Sequence, residues 1–134
     1  MSAPTVLPHR DAVVAALEDA NIAVGKGGAP SPIPTDRMYA AVYASPGESQ
    51  SESLADRRTD FQTIVQVTCV GPDEERCLWL ADKVRGALWG PLAVAGRVAF
   101  RAEEMGGPPV QRDDDVTPPL FYTPIQFMIR SLAS

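Results

Sequence analysis

Between Asp60 and Leu88 the chain reads as a strand, a tight turn and a helix, and every other element has to pack around that unit. From Asp60 to Val70 the side chains alternate. Phe61, Thr63, Val65, Val67 and Cys69 fall on one face; Gln62, Ile64, Gln66 and Thr68 fall on the other. A period of two with β-branched content predicts a strand. Gly71 ends the alternation. Pro72 suits a first helical position, where its missing N–H costs nothing. Asp73, Glu74 and Glu75 follow in the first turn, where carboxylates favour the positive helix end. Cys77, Leu80, Ala81, Val84 and Leu88 then recur at helical spacing as one apolar stripe. The helix is expected to fold back on the strand's apolar face. Nothing in the unit looks like catalytic machinery.

The flanking sequence supplies the remaining layers. Pro8 to about Ala20 predicts a first helix, with Val13, Leu17 and Ala20 at helical spacing and Asn21 as its stop. Ile22–Val24 reads as a short extended piece, and Gly25–Pro34 as a loop rich in glycine and proline. Arg37–Tyr43 alternates and predicts a strand. The polar run 44–57 has no apolar period and is expected to be a mobile loop within a hairpin. Arg97–Glu103 alternates again. Leu120–Arg130 is the last strand, placed at an edge or a bulge because Pro124 cannot donate to a ladder. The expected order is α-β-β-α-β-β. That makes an α+β two-layer sandwich, a four-stranded mainly antiparallel sheet with two helices on one face.

With 134 residues the chain is expected to form one domain, 1–134. Its net charge of −5 argues against general nucleic-acid binding, which needs a basic surface to displace counterions. Cys69 and Cys77 lie on core-facing stripes and read as buried thiols of a reducing compartment. The N-terminus lacks a charged region followed by an apolar run, so no signal peptide is expected. No segment approaches the roughly 20 apolar residues that span a bilayer, so no membrane partner is expected.

Candidate chemistry is sparse. Asp113, Asp114 and Asp115 offer carboxylate oxygens of the kind hard cations take. Three consecutive side chains do not converge on one ion without an unusual turn, so a solvated acidic loop is the stronger reading. His9, the single histidine, has no partner nearby in sequence. Gly25-Lys26-Gly27-Gly28 lacks phosphate-loop spacing. No catalytic, metal-binding or cofactor residues are therefore assigned. Trp79 and Trp89 flank the helical stripe, with core packing as the default.

Two features point beyond a monomer. The last strand is apolar on both faces, which leaves Leu120, Tyr122 and Met128 bare unless another surface covers them. The long strand also spans about 37 Å against about 25 Å for its helix, so the hairpin should project beyond the helix layer.

Phe61–Gly71, the helix with Leu80-Ala81-Asp82-Lys83-Val84-Arg85, and the later run Pro109–Asp113 and Pro118–Tyr122 resemble the tail-terminator proteins of long-tailed bacteriophages. The resemblance covers most of the chain from Met38 onward and lies in packing patterns, with no catalytic motif to carry over. It implies a structural virion protein of the tail and neck, assembled in the host cytoplasm, that caps the tail tube as a homohexameric ring. Such a ring stops tail polymerisation and forms the head–tail joining surface. The implied partners are other copies of the chain, the major tail tube protein, and head-completion or connector proteins. DNA would pass through the lumen without sequence-specific contacts, and no cofactor is implied. Carried onto this chain, the hairpin with Glu48, Glu52, Arg57 and Arg58 and the connector with Arg112, Asp113 and Asp114 become ring-to-tube or ring-to-neck surfaces. Gln62, Gln66, Tyr122 and Met128 become subunit contacts. The competing readings are another neck or minor tail component and, from a different class, a small α+β ligand-binding module or enzyme.

Overall fold

The computed structural model describes residues 3–51 and 59–133. Its elements are α1 (Val6–Asp19), β1 (Val24–Lys26), β2 (Tyr39–Ala44), β3 (Glu48–Ser51), β4 (Thr59–Gly71), α2 (Glu74–Ala87), β5 (Arg97–Ala99), β6 (Glu103–Gly106), β7 (Gln111–Asp113) and β8 (Leu120–Ala133). The expected four-stranded sheet in the order α-β-β-α-β-β is therefore wrong. The chain forms one eight-stranded mixed sheet with two helices.

Two physical causes account for the difference. First, β1 adds a parallel edge on β2, with Val24 opposite Ala40. The glycine-rich run read as loop thus gives its first residues to the sheet. Second, glycine and proline cut the lanes on either side of the long central pair β4–β8. Both β2 and β3 pair antiparallel with β4, and the break at Ser45-Pro46-Gly47 slides the register by one residue. On the far side, β5, β6 and β7 pair in turn with β8, and the register slips one residue at each break and once within β6. β8 is thus an interior strand, not an edge. Pro124 pairs with Thr68 of β4 and, on its other side, faces the gap between β6 and β7, where the ladder is already broken.

The core lies between the sheet and the helices. Val65, Val67 and Cys69 of β4, with Ile125, Phe127 and Ile129 of β8, are buried against Val13 and Leu17 of α1 and Leu80 and Val84 of α2. The stripe Cys77, Leu80, Ala81, Val84 and Leu88 is buried throughout. Helix α2 starts later than Pro72 suggests. Asp73 is extended and its carboxylate accepts the Arg76 N–H at 2.8 Å, so it is the N-cap and Pro72 precedes the helix. Gly71 permits the tight return: a Cβ there would lie 2.9 Å from the Cys77 nitrogen. Helix α1 ends at Asp19, and Asn21 takes a left-handed φ of 61°, as a stop residue can.

Helix α1 also reaches further along the hairpin than the length of α2 implies. Phe61 is buried against His9, with ring centroids 4.5 Å apart. Both helices together therefore cover β4 down to Phe61. Residues 44–57 were expected to lack regular structure, yet Glu48–Ser51 forms β3; residues 52–58 lie outside the described residues.

Candidate functional site

With both helices on one face, the other face of the sheet is left without a covering layer. Strand pairing fixes what lies on it. One row runs Glu48, Gln62, Arg130; the next holds Ile64 and Met128; a third holds Gln66, Gln126 and Tyr43. Three depressions follow this seam. One of about 200 Å³ is lined by Asp60, Gln62, Phe100, Arg130 and Leu132 among others. One of about 300 Å³ is lined by Pro46, Glu48, Gln62, Ile64 and Met128 among others. The third, about 440 Å³, lies at Gln66, Gly106, Pro108, Pro124 and Gln126. The first two share Gln62, and Ile64 and Gln66 are next neighbours on the same face of β4. The face thus carries a broad trough with an amphipathic floor.

The residues expected to be bare behave differently from one another. Leu120 is buried with Tyr39 and Val70, and Tyr122 packs partly on the same cluster. Tyr122 and Met128 are half-buried. The Tyr122 hydroxyl donates to Gln111 Oε1 at 2.9 Å, which ties it to β7. The exposed apolar side chains of this face are instead Tyr43, Val98 and Phe100, each 42–52% accessible.

The expected interface residues fall into two groups. Glu48, Gln62 and Met128 line one depression, and Gln66 lies one row further along. The Gln62 amide donates to Glu48, and the Gln66 amide to Thr68 Oγ1. Arg112, Asp113, Asp114 and Tyr122 sit at the opposite end, about 27 Å away by strand rise. There Arg112 pairs with Asp114 and lies over the Phe121 ring, and Asp113 accepts the Asp115 N–H in a local turn. Glu52, Arg57 and Arg58 lie outside the described residues.

That second end is strongly acidic. The α1 C-terminus, the approach to β2, the α2 N-terminus and the β7–β8 loop converge on it. Together they bring nine carboxylates (Glu18, Asp19, Asp36, Asp73, Glu74, Glu75, Asp113, Asp114, Asp115) against three arginines (Arg37, Arg76, Arg112). This exceeds the net charge of the whole chain, so the field is polarised along the strands.

The helix layer shows a surface that the pattern reading assigned to the core. Trp79 and Trp89 are 56% and 63% accessible, and Leu78 is exposed beside Trp79. Lys83 lies 5.1 Å from the Trp79 ring centroid, and the Arg101 guanidinium 4.6 Å from that of Trp89. The signal was in the spacing. Positions 78 and 79 fall off the 77–80–81–84–88 stripe, so a helix that buries the stripe must present them outward.

His9 has no partner nearby in sequence, and the fold supplies one 122 residues away. Its Nε2 lies 2.7 Å from Ser131 Oγ, and its Nδ1 lies 2.7 Å from the Thr5 carbonyl. A carbonyl only accepts, so Nδ1 carries the proton and Nε2 accepts from the serine hydroxyl. Ser131 Oγ in turn accepts from Arg97 Nε at 2.7 Å. Serine, imidazole and an orienting acceptor are the parts of a nucleophile system. Here His9 is fully buried and Ser131, though it borders the depression at Asp60 and Arg130, is 1% accessible, so the hydroxyl presents almost no surface to an acyl group. Burial, together with the nearby Arg97 charge, lowers the His9 pKa although the Thr5 contact opposes it, and the ring is neutral. The arrangement is a satisfied core network joining α1 to β8 and β5.

The thiols are equally enclosed. Burial pushes Cys69 up to about 12 and Cys77 up to about 11, and Cys77 Sγ donates to the Cys69 carbonyl at 3.3 Å. Among the described residues no group of three histidine, cysteine or carboxylate side chains is arranged to hold a metal ion. No helix there is long and apolar enough to cross a membrane.

No protein-family model matches the chain, and no curated protein does. Fourteen solved chains match it. One of them superposes with a TM-score of 0.54 over 90% of this chain and 94% of its own length, at 16% identity. At that identity the likeness establishes a shared fold and nothing about function.

Proposed function

We propose that this chain is a structural virion protein, the tail terminator of a long-tailed bacteriophage. Copies close into a ring on the last ring of the tail tube, stop its polymerisation and present the surface to which the head-completion proteins bind. The observation that carries this reading is the uncovered sheet face, whose trough holds Ile64, Met128 and the exposed Phe100 where a two-layer domain working alone would be polar. The acidic end adds a second, chemically distinct surface at the far pole of the strands, suited to a basic partner surface. The sealed serine–histidine pair and the protonated thiols fit a structural role. The resemblance of Phe61–Gly71 and Pro118–Tyr122 to the terminator family supplies the particular assembly.

Deletion of the gene from the phage that encodes it tests the proposal. The expected result is over-long tails without heads, restored to normal length by the protein in trans. Tails of normal length joined to heads would overturn it. Tails of normal length that fail to join heads would assign the chain to another neck component.

A further inference from the structure

We infer that the helix layer carries a small-molecule site of its own, for a zwitterionic α-amino acid with an apolar side chain, where the end of α1, the approach to β2 and the outer side of α2 meet. This site stands apart from the sheet-face trough and from the tail-terminator reading. A depression of about 230 Å³ lies there. Its floor is apolar: Ile22 and Leu80 are buried and Met38 is partly buried. The exposed Trp79 indole forms one wall. Pockets for drug-sized ligands run to roughly 300–1,000 Å³, so this one suits a smaller molecule.

The rim supplies the polar recognition. Lys83, on α2, and Asp36, on the segment before β2, border the same depression, yet neither makes an ion pair with the other or with any described residue. Each is held by a different contact. Lys83 Nζ lies over the Trp79 ring, 5.1 Å from its centroid. Asp36 Oδ1 accepts the Met38 N–H at 3.0 Å, a local turn that aspartate favours, and this leaves Oδ2 open. The depression is thus bordered by an ammonium on one wall and a carboxylate oxygen on another, with apolar surface between them. An α-amino acid carries a carboxylate, an ammonium and a side chain on one carbon and answers all three. Its carboxylate meets Lys83 Nζ, its ammonium meets Asp36 Oδ2, and its side chain covers the floor against the indole. A simple acid or amine leaves one rim charge unanswered. The Asp36 wall is built in advance. The Arg37 N–H donates to the Pro34 carbonyl at 3.0 Å, and the Arg37 guanidinium donates to the Pro118 carbonyl, which ties this turn to the loop before β8. A preformed wall lowers the ordering cost of binding.

The test uses the full chain with Trp89→Phe, which leaves Trp79 as the only indole. L-leucine and L-phenylalanine are titrated while Trp79 fluorescence is followed, and amide NMR spectra of the same samples follow Ile22, Asp36 and Lys83. The expected result is a saturable change in both readouts in the millimolar range. The N-acetyl derivatives, which lack the ammonium, and the amides, which lack the carboxylate, should each bind about fivefold more weakly. Lys83→Gln should weaken the free amino acid about fivefold and leave its amide unaffected. Asp36→Asn should weaken it by a similar factor while keeping an oxygen for the Met38 N–H, so the turn survives. No saturable change in either readout, binding indifferent to the loss of either ligand charge, or shifts confined to other residues would overturn the site. None of these outcomes bears on the gene-deletion test, so the two proposals fail separately.

Discussion

The buried His9 network makes a quantitative claim about stability against pH. The perturbation is His9→Phe, an aromatic ring of similar size that packs on Phe61 but makes neither polar contact. The Thr5 carbonyl loses the Nδ1–H donor, and the Ser131 hydroxyl loses its acceptor while still receiving the Arg97 Nε–H. Thr5 is exposed, so its carbonyl turns to water, whereas the Ser131 hydroxyl is buried and its loss of a partner costs about 1–3 kcal/mol. The variant should therefore be about 1–3 kcal/mol less stable than the native chain at pH ~7.5. The folded-state pKa of His9 is lowered, so as pH falls below the unfolded value of about 6.5 the unfolded chain takes up the proton first. The native protein then loses stability at up to about 1.4 kcal/mol per pH unit, levelling off once pH passes the folded value. The Phe variant lacks this loss, so the gap should narrow on acidification, by up to about 2 kcal/mol at pH ~5. His9 is the only histidine of the chain. Urea unfolding followed by far-UV circular dichroism at constant ionic strength, in steps from pH ~7.5 to ~5, measures the gap. A gap that stays constant would mean that His9 titrates alike in both states. A gap that widens would mean that the folded protein stabilises the imidazolium, and the tautomer argument would fail.

Three further outcomes follow from the packing. Neither Cys69 nor Cys77 should react with a disulfide reagent in the folded protein at pH ~8, and both should react on unfolding, since burial holds each thiol protonated. Gly47→Ala should cost about 1–3 kcal/mol, read as a lower urea midpoint. Its φ is +76°, and a Cβ there would lie 2.3 Å from Phe61 Cζ. Asp73→Ala should cost about 1 kcal/mol by removing the α2 N-cap, and Asp73→Asn should recover most of it.

What could be read from the sequence is what period alone encodes. Phe61, Thr63, Val65, Val67 and Cys69 are all buried because a strand under a helix layer must repeat every two residues. The stripe from Cys77 to Leu88 follows from the helical repeat in the same way. The short lateral strands carry no such pattern. Glu48–Ser51 and Gln111–Asp113 are polar or charged, Glu103–Gly106 mixes two carboxylates with Met105 and a glycine, and the conformation of all three comes from backbone bonds to β4 or β8. The His9–Ser131 contact had no local signal either, because it joins residues near opposite ends of the chain.

The polarity that hid those lateral strands bears directly on how copies could associate. An unpaired strand edge is an invitation to edge-to-edge pairing, and charge, proline and bulges are the usual defences. On this sheet the β5–β7 side is broken three times, carries Glu103, Glu104, Arg112 and Asp113, and has Pro108-Pro109 in one gap. On the hairpin side the described side chains of β3 are Glu48 and Ser49, both polar. Val98 and Met105 are exposed on β5 and β6, but Phe100 by the sheet-face trough and Leu78 and Trp79 on α2 lie off the edges. Association through the lateral edges would bury charge and leave Phe100, Leu78 and Trp79 in water. Association through face and helix would cover them and leave the charged edges solvated, so the distribution of apolar surface favours the face.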